Sequence, residues 1–258
     1  MKNRLKWFLR LKFAPSLSLF LYDYETWSRV YLLKKYLKSV DPHCSKRIID
    51  IGGGTGRLTV LLKRKDIYIY DNSEEAVRKA GALFRNVKVG TGANIDYPDN
   101  YFDYSVSTHT LEHLPEESRE SFMSEMLRVS KEGIYLLFPE GKHAKLMGER
   151  YNEALVNRGR PENRWIREHL EMKLPMREAI ESYLQKQSGF TFTYRHLKNY
   201  GAETFFWTRL SLSGNLFVRN MLLPLFSIYR HLKLHSKPAV ELLVIGRRVD
   251  NGGLKDKL

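Results

Sequence analysis

Cysteine is nearly absent from this chain of 258 residues. Cys44 is the only one, which excludes an internal disulfide and a cysteine-rich zinc site and is typical of proteins in a reducing compartment. No run of about 18 uninterrupted apolar residues occurs, so the sequence predicts no spanning helix. The basic residues of positions 1–13 alternate with apolar ones and no small-residue cleavage site follows, so we expect a cytoplasmic protein without a signal peptide.

Acidic residues are fewer than basic ones. The chain has 43 Lys and Arg against 29 Asp and Glu, a formal net charge of +14. This balance favours anionic partners such as nucleic acid, anionic lipid headgroups or phosphorylated substrates, and it is equally compatible with a role in solubility alone. Because 43% of the residues are hydrophobic and 12% are aromatic, the chain can bury a substantial core, and the composition argues against disorder.

Short β-branched runs alternate with helical patterns in the first half of the chain. The predicted strands are Arg47–Ile51, Ile67–Tyr70, Val87–Val89, Phe102–Ser107 and Ile134–Phe138. The predicted helices among them are Leu58–Leu62, Ser73–Phe84 and Glu116–Val129, and a helix at Tyr22–Leu37 precedes them. This alternation predicts βαβ units and a parallel sheet. Residues 140–187 are charged and helical in pattern, and two further strands, Phe190–Tyr194 and Val240–Ile245, flank a helical stretch at Asn215–Leu234.

The most specific motif is a glycine-rich turn after the first strand. Asp50-Ile51 runs into Gly52-Gly53-Gly54-Thr55-Gly56; glycines allow close approach of a ligand to the backbone, and the following helix directs its N-terminal amides towards that ligand. The turn does not match the dinucleotide-binding fingerprint, because that fingerprint needs a glycine at its sixth position and this chain has Arg57 there. It is not a P-loop either, because no Gly-Lys-Ser/Thr follows.

The acidic-x-Gly-x-Gly-x-Gly spacing resembles the first motif of the class I S-adenosylmethionine-dependent methyltransferases. The resemblance implies that Asp50 and the glycines Gly52, Gly54 and Gly56 form the site for the methionine part of S-adenosylmethionine. Asp71, at the end of the second strand and about 20 residues further on, can accept hydrogen bonds from both ribose hydroxyls. The next residue, Asn72, is assigned to the same cofactor site. Without a cofactor, Asp71 would be an ordinary cap of the turn Asp71-Asn72-Ser73.

Two later segments carry the same resemblance. Gly90–Asp103 resembles the adenine loop of the family, which assigns Thr91, Gly92 and Ala93 to the cofactor. The family commonly has an aspartate where Thr91 stands, and a hydroxyl accepts hydrogen bonds more weakly than a carboxylate. Ser105–Pro115, with its Leu-Glu-His-Leu run, resembles the segment after the fourth strand and adds Ser107 and Thr108 to the site.

The predicted fold class is α/β. It is a Rossmann-like, mostly parallel seven-stranded sheet with helices on both faces, extended by N-terminal helices and a helical lid insertion. We divide the chain into basic amphipathic helices (1–40), the cofactor-binding core (41–140), a lid and acceptor region with one core strand (141–235), and a final strand with the tail (236–258). The branch that this chain resembles is the small-molecule methyltransferases related to the ubiquinone and menaquinone biosynthesis enzymes.

Methyl transfer from a sulfonium is an in-line displacement that requires the acceptor to be held close to the methyl carbon. Oxygen and carbon acceptors also lose a proton, for which histidine is suited. His109 follows the fourth strand and is our candidate catalytic base, although a histidine hydrogen-bonded to the backbone is an equally good interpretation. We interpret His113 as structural, and we predict no metal site.

The acceptor is predicted to be a small molecule, or a lipid-linked, isoprenoid or glycan compound, with possible contact to a peripheral membrane surface through the stretch Asn215–Leu234. A buried lid helix bent at Pro224 is the alternative for that stretch. Pyrimidine C5 methylation needs a cysteine nucleophile, and Cys44 lies before the first strand. Nucleic acid is therefore a weaker candidate. An RNA or protein methyltransferase with a basic docking face, and a scaffold that has lost the cofactor, remain alternatives; oligomeric state is not indicated.

Overall fold

The computed structural model describes residues 24–56, 59, 62, 64, 66–212, 218, 221, 222, 225 and 238–249. The helices are α1 (Tyr24–Val40), α2 (Glu74–Ala80), α3 (Glu116–Val129), α4 (Gly141–Val156), α5 (Arg164–Glu171), α6 (Arg177–Leu184) and α7 (Tyr200–Leu212). The strands are β1 (Ile48–Ile51), β2 (Tyr68–Asp71), β3 (Val87–Val89), β4 (Phe102–Thr108), β5 (Ser130–Pro139), β6 (Phe190–Asn199) and β7 (Ala239–Arg248). A short 3-10 turn, Leu111–His113, follows β4.

The seven strands form one sheet in the order β3-β2-β1-β4-β5-β7-β6. Strands β1 to β5 pair with one another in parallel, and β7 runs antiparallel to both β5 and β6. The strand order reverses between β1 and β4, and ligands of open α/β sheets bind beyond the carboxyl ends of strands at such a switch point. The predicted α/β, mostly parallel seven-stranded sheet is confirmed.

Helices cover both faces of this sheet. On one face, Phe122 and Met126 of α3 and Ile180 of α6 pack in one buried cluster. On the other face, Leu33 and Leu37 of α1 pack in a second cluster. Strand β1 is buried along its whole length, including Asp50, and its three isoleucines are typical of a central parallel strand.

Some predicted boundaries differ from the structure. Helix α2 begins after Ser73, whose hydroxyl oxygen accepts a hydrogen bond from the Ala76 N–H at 3.2 Å, as predicted for an N-cap. It ends at Ala80, before Gly81, and not at Phe84. Strand β6 extends to Asn199 because it pairs with β7 along its full length, and this partner is distant in sequence.

Three predicted helices lie wholly or largely outside the described residues: positions 1–13, Leu58–Leu62 and Asn215–Leu234. In the described part of the chain, none of the helices has both the length and the apolar character needed to cross a membrane. The domain division is untested by this structure and stays a prediction.

Candidate cofactor and acceptor site

The glycine turn follows β1 and lies beside the end of β2. Gly52, Gly54 and Gly56 have φ angles of +74°, +55° and +71°, a region that side chains other than glycine disfavour. The Gly52 N–H donates to the Tyr70 carbonyl at 2.8 Å. This bond ties the turn to the end of β2.

The three glycines meet different surroundings. A Cβ on Gly52 would lie 2.2 Å from Oγ1 of Thr110, and one on Gly56 would lie 2.5 Å from a ring carbon of Phe84. Among the described residues, a Cβ on Gly54 would meet only Oδ2 of Asp71, at 4.0 Å. Packing within the protein therefore requires glycine at the first and last positions, whereas Gly54 borders open space next to a carboxylate.

Asp71 holds the turn from the end of β2. Its Oδ2 accepts from the Gly54 N–H at 2.8 Å and its Oδ1 accepts from the Ser73 N–H at 2.9 Å. Each carboxylate oxygen has a second lone pair, so both can still accept from hydroxyl groups. The neighbouring Asn72 is exposed.

Asp50 lies beneath the turn and is 2% exposed. Its Oδ2 accepts from the Thr59 hydroxyl at 3.0 Å, and a Cβ on Gly53 would come within 3.0 Å of the same oxygen. Burial raises the pKa of Asp50 to about 6; the Thr59 hydrogen bond opposes this shift and the charge of Asp71 adds to it. The carboxylate thus supports the turn from inside the protein.

The predicted adenine loop lies against β2 and α3. The Gly90 N–H donates to the Asp71 carbonyl at 3.0 Å, and a Cβ on Gly92 would lie 2.5 Å from the ring of Phe122. The Thr91 hydroxyl oxygen accepts from the Ala93 N–H at 3.3 Å. The loop therefore begins beside Asp71, at the same edge of the sheet as the glycine turn.

The last two residues of β4, Ser107 and Thr108, carry hydroxyl groups that have no hydrogen-bond partners among the described residues. Ser107 is 0% exposed and Thr108 is 6% exposed. Buried polar atoms are normally paired, so within the described part of the chain these two hydroxyl groups lack the hydrogen bonds that a buried position requires.

His109 follows with a φ of +56° and is enclosed by two buried carboxylates. Its Nδ1 lies 3.2 Å from Oε1 of Glu112, and its Nε2 lies 3.0 Å from Oε1 of Glu241. Lys198 forms an ion pair with the same Glu241 oxygen. Burial lowers the pKa of His109 and so does the charge of Arg29, but the two carboxylates outweigh both effects and the net shift is upward.

A cavity of about 490 Å³ opens beside His109. It is bounded by the 3-10 turn, by α4, by α5 and by the beginning of β7, and Arg29 and Lys145 add cationic groups to its wall. Thr110, which packs on Gly52, directly follows His109 in the chain, so the cavity and the glycine turn lie on either side of these two neighbouring residues. Burial lowers the pKa of His169 in this wall to about 4, against the opposing charge of Glu112, and His169 is neutral at pH 7.

Residues 49–138, which contain the glycine turn, Asp71, the loop at Thr91 and His109, match the family described as "Methyltransferase domain". Over these residues the chain is similar to a methyltransferase domain. The strand order found here is typical of the Rossmann-like methyltransferase fold.

Known proteins similar to this methyltransferase domain include an uncharacterized methyltransferase from Staphylococcus carnosus, 30% identical over 114 residues. That match covers 43% of this chain and 53% of the relative, so the chain spans about half the length of the curated relative it matches.

Two solved structures share the fold. A SAM-dependent methyltransferase from Archaeoglobus fulgidus has a TM-score of 0.52 and 18% identity, covering 85% of this chain and 94% of that one. Magnesium protoporphyrin IX methyltransferase from Synechocystis, solved with bound SAH, has a TM-score of 0.53 and 13% identity. The match covers 86% of this chain and 83% of that one. At these identities the likeness concerns the fold alone.

The structure adds two residues to the surroundings of His109 that the sequence pattern did not reveal. Glu241 of β7 contacts His109 from 132 positions away in the chain, and Lys198 of β6 forms an ion pair with Glu241. One signal was present, because Glu241 is the only charged residue in the apolar run from Ala239 to Gly246. A lone charge in a buried strand indicates a buried partner.

Proposed function

We propose that the protein transfers the methyl group of S-adenosylmethionine to a small-molecule acceptor bound in the cavity beside His109. One observation carries this proposal: His109 lines a cavity of about 490 Å³, and the next residue, Thr110, packs on Gly52 of a glycine turn whose Gly54 has open space beside it among the described residues. Two adjoining sites at one sheet edge are what a transfer between two bound molecules needs.

The residues at the turn fit the cofactor. Asp71 would accept from the ribose hydroxyls, Gly54 leaves the room that a side chain would fill, and the unpaired hydroxyls of Ser107 and Thr108 offer polar contacts. Thr91, Gly92 and Ala93 would border the adenine, with Asn72 beside the ribose. Asp50 would act from beneath the turn, where an ionised carboxylate favours a cationic ligand. When bound, the cofactor supplies an electrophilic methyl group.

His109 is the proposed proton acceptor. We assign the proton of the neutral ring to Nε2, where Glu241 accepts it and Lys198 fixes the carboxylate. Nδ1 is then the basic atom, and its contact with Glu112 is not a well-directed hydrogen bond. The imidazolium that forms on proton uptake lies between two carboxylates, which stabilise its charge.

The cavity favours an acceptor with an apolar body and an anionic or ionisable oxygen. Met147, Ile166 and Leu174 supply apolar wall, while Arg29 and Lys145 supply positive charge. These features agree with the ubiquinone- and menaquinone-type branch and with a lipid-linked or isoprenoid acceptor. Exposed apolar side chains, including Trp165 at 64% on the cavity wall, together with the net charge of +14, support contact with an anionic membrane surface.

Two measurements test the proposal. Calorimetric titration with S-adenosylmethionine is expected to show one site, and absence of binding at millimolar cofactor would favour the scaffold alternative. Extracts incubated with methyl-labelled cofactor and purified protein are then searched by mass spectrometry for a labelled small molecule. The variant Asp71→Ala serves as the negative control, and label recovered only in RNA or protein would contradict a small-molecule acceptor.

A further inference from the structure

Three metal-ligating side chains converge on the wall of the cavity. Glu112 and His113 come from the 3-10 turn and His169 comes from α5, and one ligand atom of each lies within 4.8 Å of the others. The Nε2 atoms of the two histidines are 3.1 Å apart, and Nε2 of His169 is 3.9 Å from Oε1 of Glu112.

Glu112 is a buried carboxylate without a hydrogen bond. Its side chain is 0% exposed, and neither oxygen has a hydrogen-bond partner of acceptable geometry among the described residues. The imidazole of His109, 3.2 Å away, contacts one side of Glu112 and carries a charge only when it is protonated. A fully buried carboxylate is normally paired or coordinates a metal, so the second side of Glu112, towards His169, lacks a cation.

His113 is oriented by a further carboxylate. Its Nδ1 lies 3.0 Å from Oε1 of Glu168, which can accept the ring proton and leave a lone pair on Nε2, the atom that faces His169. A carboxylate behind the second nitrogen is the arrangement that fixes the tautomer of metal-binding histidines.

We propose that Glu112, His113 and His169 bind one divalent transition-metal ion of the Zn²⁺ class. Ligand atoms at about 2.1 Å from a tetrahedral ion are separated by about 3.4 Å, and the observed separations of 3.1 Å and 3.9 Å bracket this value. Two neutral imidazoles and a carboxylate suit Zn²⁺ and its neighbours in the first transition row. The histidine side chains are 26% and 22% exposed, so an ion can reach them from the cavity.

The consequence for catalysis rests on the proposed function, whereas metal binding itself does not. Three protein ligands leave a coordination position towards the cavity, where an oxygen of the acceptor can bind. A divalent ion there would lower the pKa of that oxygen, close to the imidazole that we propose takes its proton. The sequence analysis predicted no metal because His169 is 56 positions from His113, a spacing that matches no local metal motif.

Metal binding is tested on tag-free, full-length protein that has been stripped with a chelator. The apoprotein is titrated with Zn²⁺ in a calorimeter and with Co²⁺ while the visible absorption is recorded. One ion per chain is expected, with the intense visible bands of four-coordinate Co²⁺. His169→Ala and the isosteric Glu112→Gln should each weaken binding on the order of 100-fold, and Glu168→Gln about 10-fold.

His143→Ala is the matched control, since His143 is half-buried on α4, contacts Tyr200 and lies outside the cluster; its Zn²⁺ affinity should equal that of wild type. Absence of stoichiometric binding, or equal affinity in the wild type and the His169 and Glu112 variants, would overturn the metal site. Titration of every variant with S-adenosylmethionine separates the two proposals: retained cofactor binding shows a folded domain, and its loss in the wild type would contradict methyl transfer without affecting the Zn²⁺ result.

Discussion

Alanine at Gly54 should mainly weaken cofactor binding, whereas alanine at Gly56 should mainly lower stability. Both glycines have left-handed backbone, so each substitution carries a conformational cost of about 1–2 kcal/mol. At Gly54 the new methyl group meets only an oxygen of Asp71 at 4.0 Å, so no steric cost is added. The space it enters is the space that we assign to the cofactor.

At Gly56 the same methyl group would lie 2.5 Å from a ring carbon of Phe84 and 2.7 Å from Cδ1 of Ile69. Both neighbours are buried, and overpacking of this kind typically adds about 1–3 kcal/mol. The total loss in the free energy of unfolding should therefore be about 2–5 kcal/mol for Gly56→Ala. For Gly54→Ala it should be about 1–2 kcal/mol.

Urea denaturation measures the free energy of unfolding, and calorimetric titration measures affinity for S-adenosylmethionine. Gly54→Ala should lose on the order of tenfold or more in affinity, about 1.4 kcal/mol, at a modest cost in stability. Gly56→Ala should bind normally in its folded fraction. Wild-type affinity in Gly54→Ala would show that the cofactor does not occupy this space, and wild-type stability in Gly56→Ala would refute the packing argument.

Three further variants address the carboxylates and the histidine. Asp71→Ala should weaken S-adenosylmethionine on the order of 100-fold, because hydrogen bonds to a charged acceptor contribute about 1.5–3 kcal/mol each; unchanged calorimetric affinity would remove Asp71 from the site. Asp50 has a pKa of about 6 in the folded protein, above its value in the unfolded chain. Its contribution to the free energy of unfolding is therefore complete below pH about 4 and is lost as the pH rises through 6. The loss amounts to at most about 3 kcal/mol. Asp50→Asn should abolish this part of the pH dependence in urea melts, and identical slopes in both proteins would contradict the assignment. His109→Gln should lower turnover of the identified acceptor about 10²- to 10⁴-fold with cofactor affinity retained, whereas full activity would make the histidine structural.

The sequence was sufficient to predict the sheet and the turn. Strand β1 is buried on both sides, so three of its four residues are isoleucine, and the glycines that follow mark a backbone that only glycine adopts easily. The helix at Glu116–Val129 was predicted with its observed bounds, because apolar residues repeat at helical spacing. These signals are local, so a single sequence contains them.

Contacts between residues that are far apart in the sequence could not be predicted from such local signals. The sequence presents three glycines as equivalent, and only packing against Thr110 and Phe84 distinguishes two of them from Gly54. His109 was a candidate from its place after β4, but its surroundings depend on Glu241, which the antiparallel pairing of β5 with β7 brings to it.

The sequence by itself determined the α/β sheet and the glycine turn, since hydrophobic period and backbone preference act over a few neighbouring residues. The tertiary structure alone decided which side chains surround His109 and how His169 comes to face Glu112. Those contacts join residues from 56 to 132 positions apart, and folding of the sheet and of α5 brings them within hydrogen-bond distance.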